Sequence, residues 1–314
     1  MGGFLKGRRL TTVAAMGLVV LAAACGSDAS GSPPPSSTAP SPVEYYVSLG
    51  DSYAAGYQPT GANSGHTDTN GFAYQVVGLA AYKGYHFKLV NFGCGGATTT
   101  SIIDSVGCPQ VLLGPGATTY PTQTQAAAAE SFLRTHRGKV RLITISISGN
   151  DVTHCASVAQ PIPCVVAAVT TIKKNVSNLL SRVRAAAGPG VQIVGTTYPD
   201  VILGEYLSTS AAAKNIATLS VTAFKDLINP ALKKAYQAVG GDFVDVTAAT
   251  GAYGSMTQTT DLAPYGVIPV PVAKVCELTY FCQYQNIHPK TAGYKVIAEL
   301  VVGTLPPLTG SPTS

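Results

Sequence analysis

The chain has 314 residues and a formal charge of +5, from 20 Lys and Arg against 15 Asp and Glu. Only 11% of residues are charged, and no predicted helix carries a Lys/Arg cluster, so nothing argues for a nucleic-acid partner. The length suits a leader followed by one α/β domain with a sizeable core.

Lys6, Arg8 and Arg9 precede the apolar run "LTTVAAMGLVVLAAAC", which predicts a secretory signal over residues 1–24. The run is too short, and too abruptly followed by polar sequence, for a membrane span. Its end, "LAAAC", puts Cys25 where a bacterial lipoprotein signal has its lipidated cysteine, although the leucine lies one position earlier than the common pattern. A lipid anchor on Cys25 is therefore expected. Cleavage after an Ala-x-Ala-like site is the alternative and would give a free secreted protein. Residues 26–42, "GSDASGSPPPSSTAPSP", cannot build a core and form a tether. The domain is expected over 43–307, as a monomer, with a flexible tail over 308–314. Without the three basic residues of the signal, 17 Lys and Arg face 15 Asp and Glu.

Along the domain, strands and helices alternate. Strands are predicted at 45–49, 87–92, 140–147, 191–196 and 242–246 from short apolar, β-branched runs. Helical spacing falls at 71–83, 122–136, 165–186 and 209–238, the last broken near Pro230, and in a terminal helix after His288. Five alternations predict an α/β fold, a central parallel five-stranded sheet covered on both faces by helices. The segment "GYQPTGANSGHTDTNG" reads as a loop.

Besides Cys25, the cysteines fall as three local pairs. In an exported chain three disulfides are the default, and six cysteines allow fifteen connectivities. Sequential pairing, Cys94–Cys108, Cys155–Cys164 and Cys276–Cys282, is favoured because each pair brackets a short loop. Zinc is the competing reading, but there is no CxxC and no histidine at ligand spacing. No metal or cofactor is expected.

In such a sheet, sites gather beyond the carboxyl ends of the strands. There the chain places Gly50-Asp51-Ser52, then "NFGCGGATT" with Gly93, Gly95 and Gly96, then "SGND" with Asn150; His288 precedes Pro289 at a helix start. A serine to attack, a histidine to take its proton and N–H donors for an oxyanion are the parts of acyl transfer. Each alone has a plainer explanation, as a helix cap, a glycine turn, an Asx turn or a surface histidine. Asp51 and Asp151 read as turn-fixing residues.

The conjunction, from "SLGDSYAAG" to "HPKTAGY", resembles the SGNH/GDSL hydrolase superfamily, in particular the secreted, disulfide-containing actinobacterial esterases and lipases. The resemblance implies a three-layer flavodoxin-like fold. It also implies Ser52 as nucleophile, His288 as base, and Gly96, Asn150 and the Ser52 N–H as oxyanion donors. Where the family commonly has Asp three residues before the histidine, this chain has Gln285 in "QNIHP". Either Gln285 or, preferably, a backbone carbonyl is expected to orient the ring. The apolar segment 253–285 offers Tyr265, Val267, Ile268, Val270 and Val272 as an acyl groove or cover, or else as a surface excursion tied by Cys276–Cys282. The expected substrate is a small-molecule or lipid ester, and membrane contact comes through the anchor. An envelope acyltransferase using the same acyl-enzyme, and a non-catalytic envelope-binding lipoprotein, are the alternatives.

Overall fold

The computed structural model describes residues 43–308. The expected signal, Cys25, the tether and nearly all of the tail lie outside the described residues.

Five strands form one parallel sheet: β1 (Glu44–Gly50), β2 (Phe87–Asn91), β3 (Val140–Ser146), β4 (Gln192–Thr196) and β5 (Asp242–Val244), in the order β2-β1-β3-β4-β5. The α/β expectation holds, with a parallel sheet flanked by helices. Strands covered on both faces need side chains that tolerate full burial. Tyr46, Val47 and Leu49 of β1 and Leu142, Ile143 and Ile145 of β3 are accordingly fully buried. Among the polar exceptions, the Tyr46 hydroxyl meets Thr144 Oγ1 at 2.7 Å, while the buried Ser146 and Thr196 hydroxyls have no partner among the described residues. Helices Phe72–Ala81 and Thr291–Gly303 pack together, while Gln125–Thr135, Pro161–Ala187 and Asn229–Gln237 pack as a second group.

The chain order reverses between β1 and its two neighbours, β2 and β3. This is the topological switch point, where a crevice opens at the carboxyl ends. The residues after β1 and β3 are therefore the ones brought together.

Three stretches differ from expectation. The helix expected from 165 begins at Pro161, because proline in the first turn needs no N–H partner. The 209–238 region is helix Ala211–Thr222, a π-helical segment Ala223–Ile228, and helix Asn229–Gln237. Pro230 can neither donate to the residue four before it nor leave room for that carbonyl, and the ladder widens just ahead of it. The stretch after Ser52, expected as a loop, contains a hairpin, Tyr57–Gly61 against Ser64–Thr67. Its anchor is invisible to composition: Gln58 and Pro59 are buried, and the Tyr57 carbonyl accepts from the Tyr294 hydroxyl at 2.9 Å. Among the described residues, no helix is long and apolar enough to cross a membrane.

Candidate active site

Gly50 ends β1 at φ 139°, where a Cβ would collide with the Ser146 carbonyl of the neighbouring strand. That glycine lets the chain turn sharply, and Asp51 caps the short helix Ser52–Ala55 by accepting from the Tyr53 N–H at 2.9 Å. Ser52 stands as its first residue. From a loop 236 positions later, His288 Nε2 lies 2.7 Å from Ser52 Oγ.

The other ring nitrogen settles the tautomer. Asn286 Oδ1 lies 2.6 Å from His288 Nδ1 and accepts from the His288 backbone N–H at 3.2 Å. A backbone N–H can only donate, so the atom facing it is the amide oxygen. Nδ1 then carries the ring proton and Nε2 is the lone-pair nitrogen facing serine. The expected orienters are thus corrected: the partner is neither Gln285 nor a backbone carbonyl. Gln285 sits exposed in the left-handed region at φ 52°, ending the short Phe281–Tyr284 helix. A sequence signal existed in Asn two residues before His, the spacing of an Asx turn. One hydrogen bond to the ring contributes on the order of 1 kcal/mol. Asn286→Ala should therefore lower kcat about fivefold with KM little changed, as read from steady-state ester turnover.

Two tyrosines that the sequence reading passed over hold this loop. The Tyr53 hydroxyl donates to the Ile287 carbonyl at 2.6 Å, and the Tyr57 ring lies 4.5 Å from the imidazole, centroid to centroid. Burial pushes the imidazole down to about 4, so it is neutral at ordinary pH.

The donors opposite are cross-braced. Asn150, beyond β3, donates from Nδ2 to the Ala97 carbonyl at 2.8 Å, which leaves its second N–H without a partner among the described residues. Asp151 accepts from Thr99 N–H at 2.9 Å and from the Thr99 hydroxyl at 2.6 Å, tying the same two loops. Gly96 precedes Ala97 at φ 78°, a conformation that favours glycine. Among the described residues, neither the Gly96 nor the Ser52 backbone N–H has a hydrogen-bond acceptor.

Asp51 is buried, and burial pushes its carboxyl up to about 7. Its second oxygen accepts from the Tyr198 hydroxyl at 2.6 Å. The Tyr198 ring lies against Gly149, where a Cβ would come within 3.0 Å of it. Tyr198 thus links the serine turn to the turn bearing Asn150.

Ser148 opens that turn at φ 115°, buried, with its hydroxyl unpartnered among the described residues. A non-glycine residue there stores strain on the order of 1 kcal/mol. Ser148→Gly is expected to raise Tm by about 2–4 °C in a thermal melt, since no hydrogen bond is lost.

Ser52 and Asn150 share the wall of an apolar cavity. Ile162, Val165, Ile202, Leu219, Phe224 and Ile228 supply much of its lining, from three helical regions. None of Tyr265, Val267, Ile268, Val270 or Val272 reaches it. Ile268 and Val272 instead bury against Tyr206 and Leu207, and Val267 is exposed. The reading of that segment as a groove wall is corrected. It forms a hairpin, Thr259–Leu262 with Gly266–Pro269, running into helix Val270–Leu278.

The structure forms the three sequential disulfides. His154 Nε2 lies 3.3 Å from Cys164 Sγ, nearer than sequence spacing suggested, but both sulfurs of that cluster are joined in the disulfide.

This is an α/β fold with a serine–histidine pair at its switch point. The chain belongs to the GDSL-like lipase/acylhydrolase family, whose model matches residues 48–296, and is with it a carboxylic ester hydrolase. Among solved structures, the inhibitor-bound aryl esterase of M. smegmatis is similar at 14% identity and TM-score 0.45, over 84% of this chain and 100% of that one. A lipolytic G-D-S-L family protein of Veillonella parvula is similar at 10% and TM-score 0.43, over 83% and 98%. Est24, a carbohydrate acetylesterase from Sinorhizobium meliloti, is similar at 12% and TM-score 0.40, over 83% and 97%. No curated protein matches the chain.

Proposed function

We propose that the protein hydrolyses carboxylic esters through an acyl-enzyme on Ser52. The observation that carries this reading is the 2.7 Å contact between Ser52 Oγ and His288 Nε2. His288 takes the hydroxyl proton as Oγ attacks the carbonyl carbon. The oxyanion is met by the free N–H of Asn150 and the backbone N–H groups of Ser52 and Gly96. As the C–O bond to the alcohol breaks, His288 returns the proton to the leaving oxygen. Water, deprotonated by the same imidazole, then releases the acid.

Asn286 holds the ring through an amide dipole and carries no charge. The imidazolium formed in the transition state is therefore less stabilised than beside a carboxylate. Three disulfides favour an oxidising compartment and hence export; a lipid on Cys25 would hold the domain at the membrane.

The pH dependence tests the assignment of the base. With the imidazole held down to about 4, it loses function only when protonated. kcat/KM for a 4-nitrophenyl ester should therefore rise through about pH 4 and, in Asp51→Asn protein, which lacks the neighbouring carboxyl pushed up to about 7, be flat from pH 6 to 8. An acid limb centred near 7 in that protein would contradict a buried neutral His288 as base.

A further inference from the structure

We infer that the ring of Tyr57, helped by that of Tyr53, stabilises the positive charge that His288 acquires in the transition state, in place of the carboxylate this chain lacks. The inference deepens the acyl-enzyme reading and rests on it.

Proton transfer from Ser52 Oγ leaves His288 protonated on both ring nitrogens, a cation in a buried site. Each nitrogen faces a neutral partner, Ser52 Oγ at 2.7 Å and Asn286 Oδ1 at 2.6 Å. The charged side chains close by in sequence are engaged elsewhere. Both Asp51 oxygens accept, from the Tyr53 N–H and the Tyr198 hydroxyl, and Lys290 Nζ donates to the Cys276 carbonyl at 2.7 Å. The burial that keeps the imidazole neutral at rest therefore opposes the reaction, unless a group in contact with the ring favours its charged form.

Two aromatic rings meet that need. Tyr57 lies 4.5 Å from the imidazole, centroid to centroid, at a tilt of 49°. Tyr53 lies 5.8 Å away at a tilt of 39°. Both fall within about 6 Å, the range over which the negative face of an aromatic ring attracts a cation. The attraction is strongest where water is excluded, and it fades when the imidazole returns to its neutral form. It thus acts on the transition state and not on the bound ester.

The hairpin makes room for this ring. Gly65, on the strand paired with Tyr57, lies beside the phenol end, and a Cβ there would come within 2.6 Å of the Tyr57 hydroxyl. The bond from Tyr294 that anchors the hairpin goes to the Tyr57 carbonyl, so the ring can be altered with the anchor kept.

The test changes the charge distribution of the ring at nearly constant shape. Tyr57→Phe is the reference. Its 4-fluoro, 3,5-difluoro and 3,4,5-trifluoro analogues at the same position weaken the negative face stepwise. With a 4-nitrophenyl ester, log kcat should fall in near-equal steps to about tenfold below the reference, with KM moving less than about twofold. A ring that only fills space or shields the imidazole from water would give a flat series. Ser52→Ala protein supplies a reading without turnover: the NMR titration midpoint of the His288 ring should drop by about one pH unit from the reference to the trifluoro ring. A flat kcat series, a loss confined to KM, or a His288 midpoint indifferent to fluorination would overturn the inference. Failure of the Ser52 assignment alone would instead appear as undiminished turnover by Ser52→Ala, with the stepwise drop in the His288 midpoint intact.

Discussion

Ser52→Ala is expected to lower kcat/KM for a 4-nitrophenyl ester by about 10⁴- to 10⁶-fold. Without Oγ no acyl-enzyme forms, and only the oxyanion donors remain to assist direct attack by water. The fold should be unaffected, because the cap on this helix is Asp51 and the Ser52 hydroxyl has His288 as its only side-chain partner among the described residues. Far-UV circular dichroism and a thermal melt alongside the assay separate lost chemistry from lost structure. His288→Ala should reach a similar floor. The double variant should fall little further, since the two groups act as a unit.

The second large effect lies opposite. Asn150→Ala should lower kcat about 10²- to 10³-fold with KM nearly unchanged, because the free amide N–H is aimed where negative charge develops and not at the neutral ester. Part of the loss would come from the Ala97 carbonyl, which Asn150 holds at 2.8 Å. Asn150→Asp separates hydrogen-bond donation from mere space-filling. It replaces the donor by acceptors, so it should be at least as damaging as alanine, whereas a purely steric role would tolerate the isosteric carboxyl. A fall confined to KM would place Asn150 in ground-state binding.

The serine, the asparagine and the histidine were readable in the sequence because each sits at a punctuated boundary. Gly50-Asp51-Ser52 follows an apolar run, "SGND" follows another, and Pro289 marks a helix start. Strand–helix alternation then places the first two at adjacent carboxyl ends, as found in β1 and β3. The ring's orienter is neither Gln285, three before the histidine where the family commonly has Asp, nor the backbone carbonyl that was the preferred expectation. The local Asx geometry brings Asn286, two before it, to the ring instead.

Other features depend on contacts between distant segments, which composition does not encode. Tyr57 covers the imidazole only because its hairpin is anchored by Tyr294, 237 positions away. The cavity draws Ile162 and Val165 from one helix, Ile202 from a second segment and Phe224 and Ile228 from the π-helical turn ahead of Pro230. Each of these reads in isolation as an ordinary buried face. The apolar run upstream of His288 looked the better wall in one dimension, yet its side chains satisfy one another around Val272 and Tyr206.

The most direct test of Ser52 and His288 acting together uses an octyl phosphonate ester with a 4-nitrophenol leaving group, a stable mimic of the tetrahedral adduct. The account predicts release of one equivalent of nitrophenolate, a phosphonyl group found by mass spectrometry on the peptide containing Ser52, and labelling at least about 10³-fold slower in His288→Ala. Labelling at another residue, or at Ser52 with an undiminished rate in His288→Ala, would contradict it.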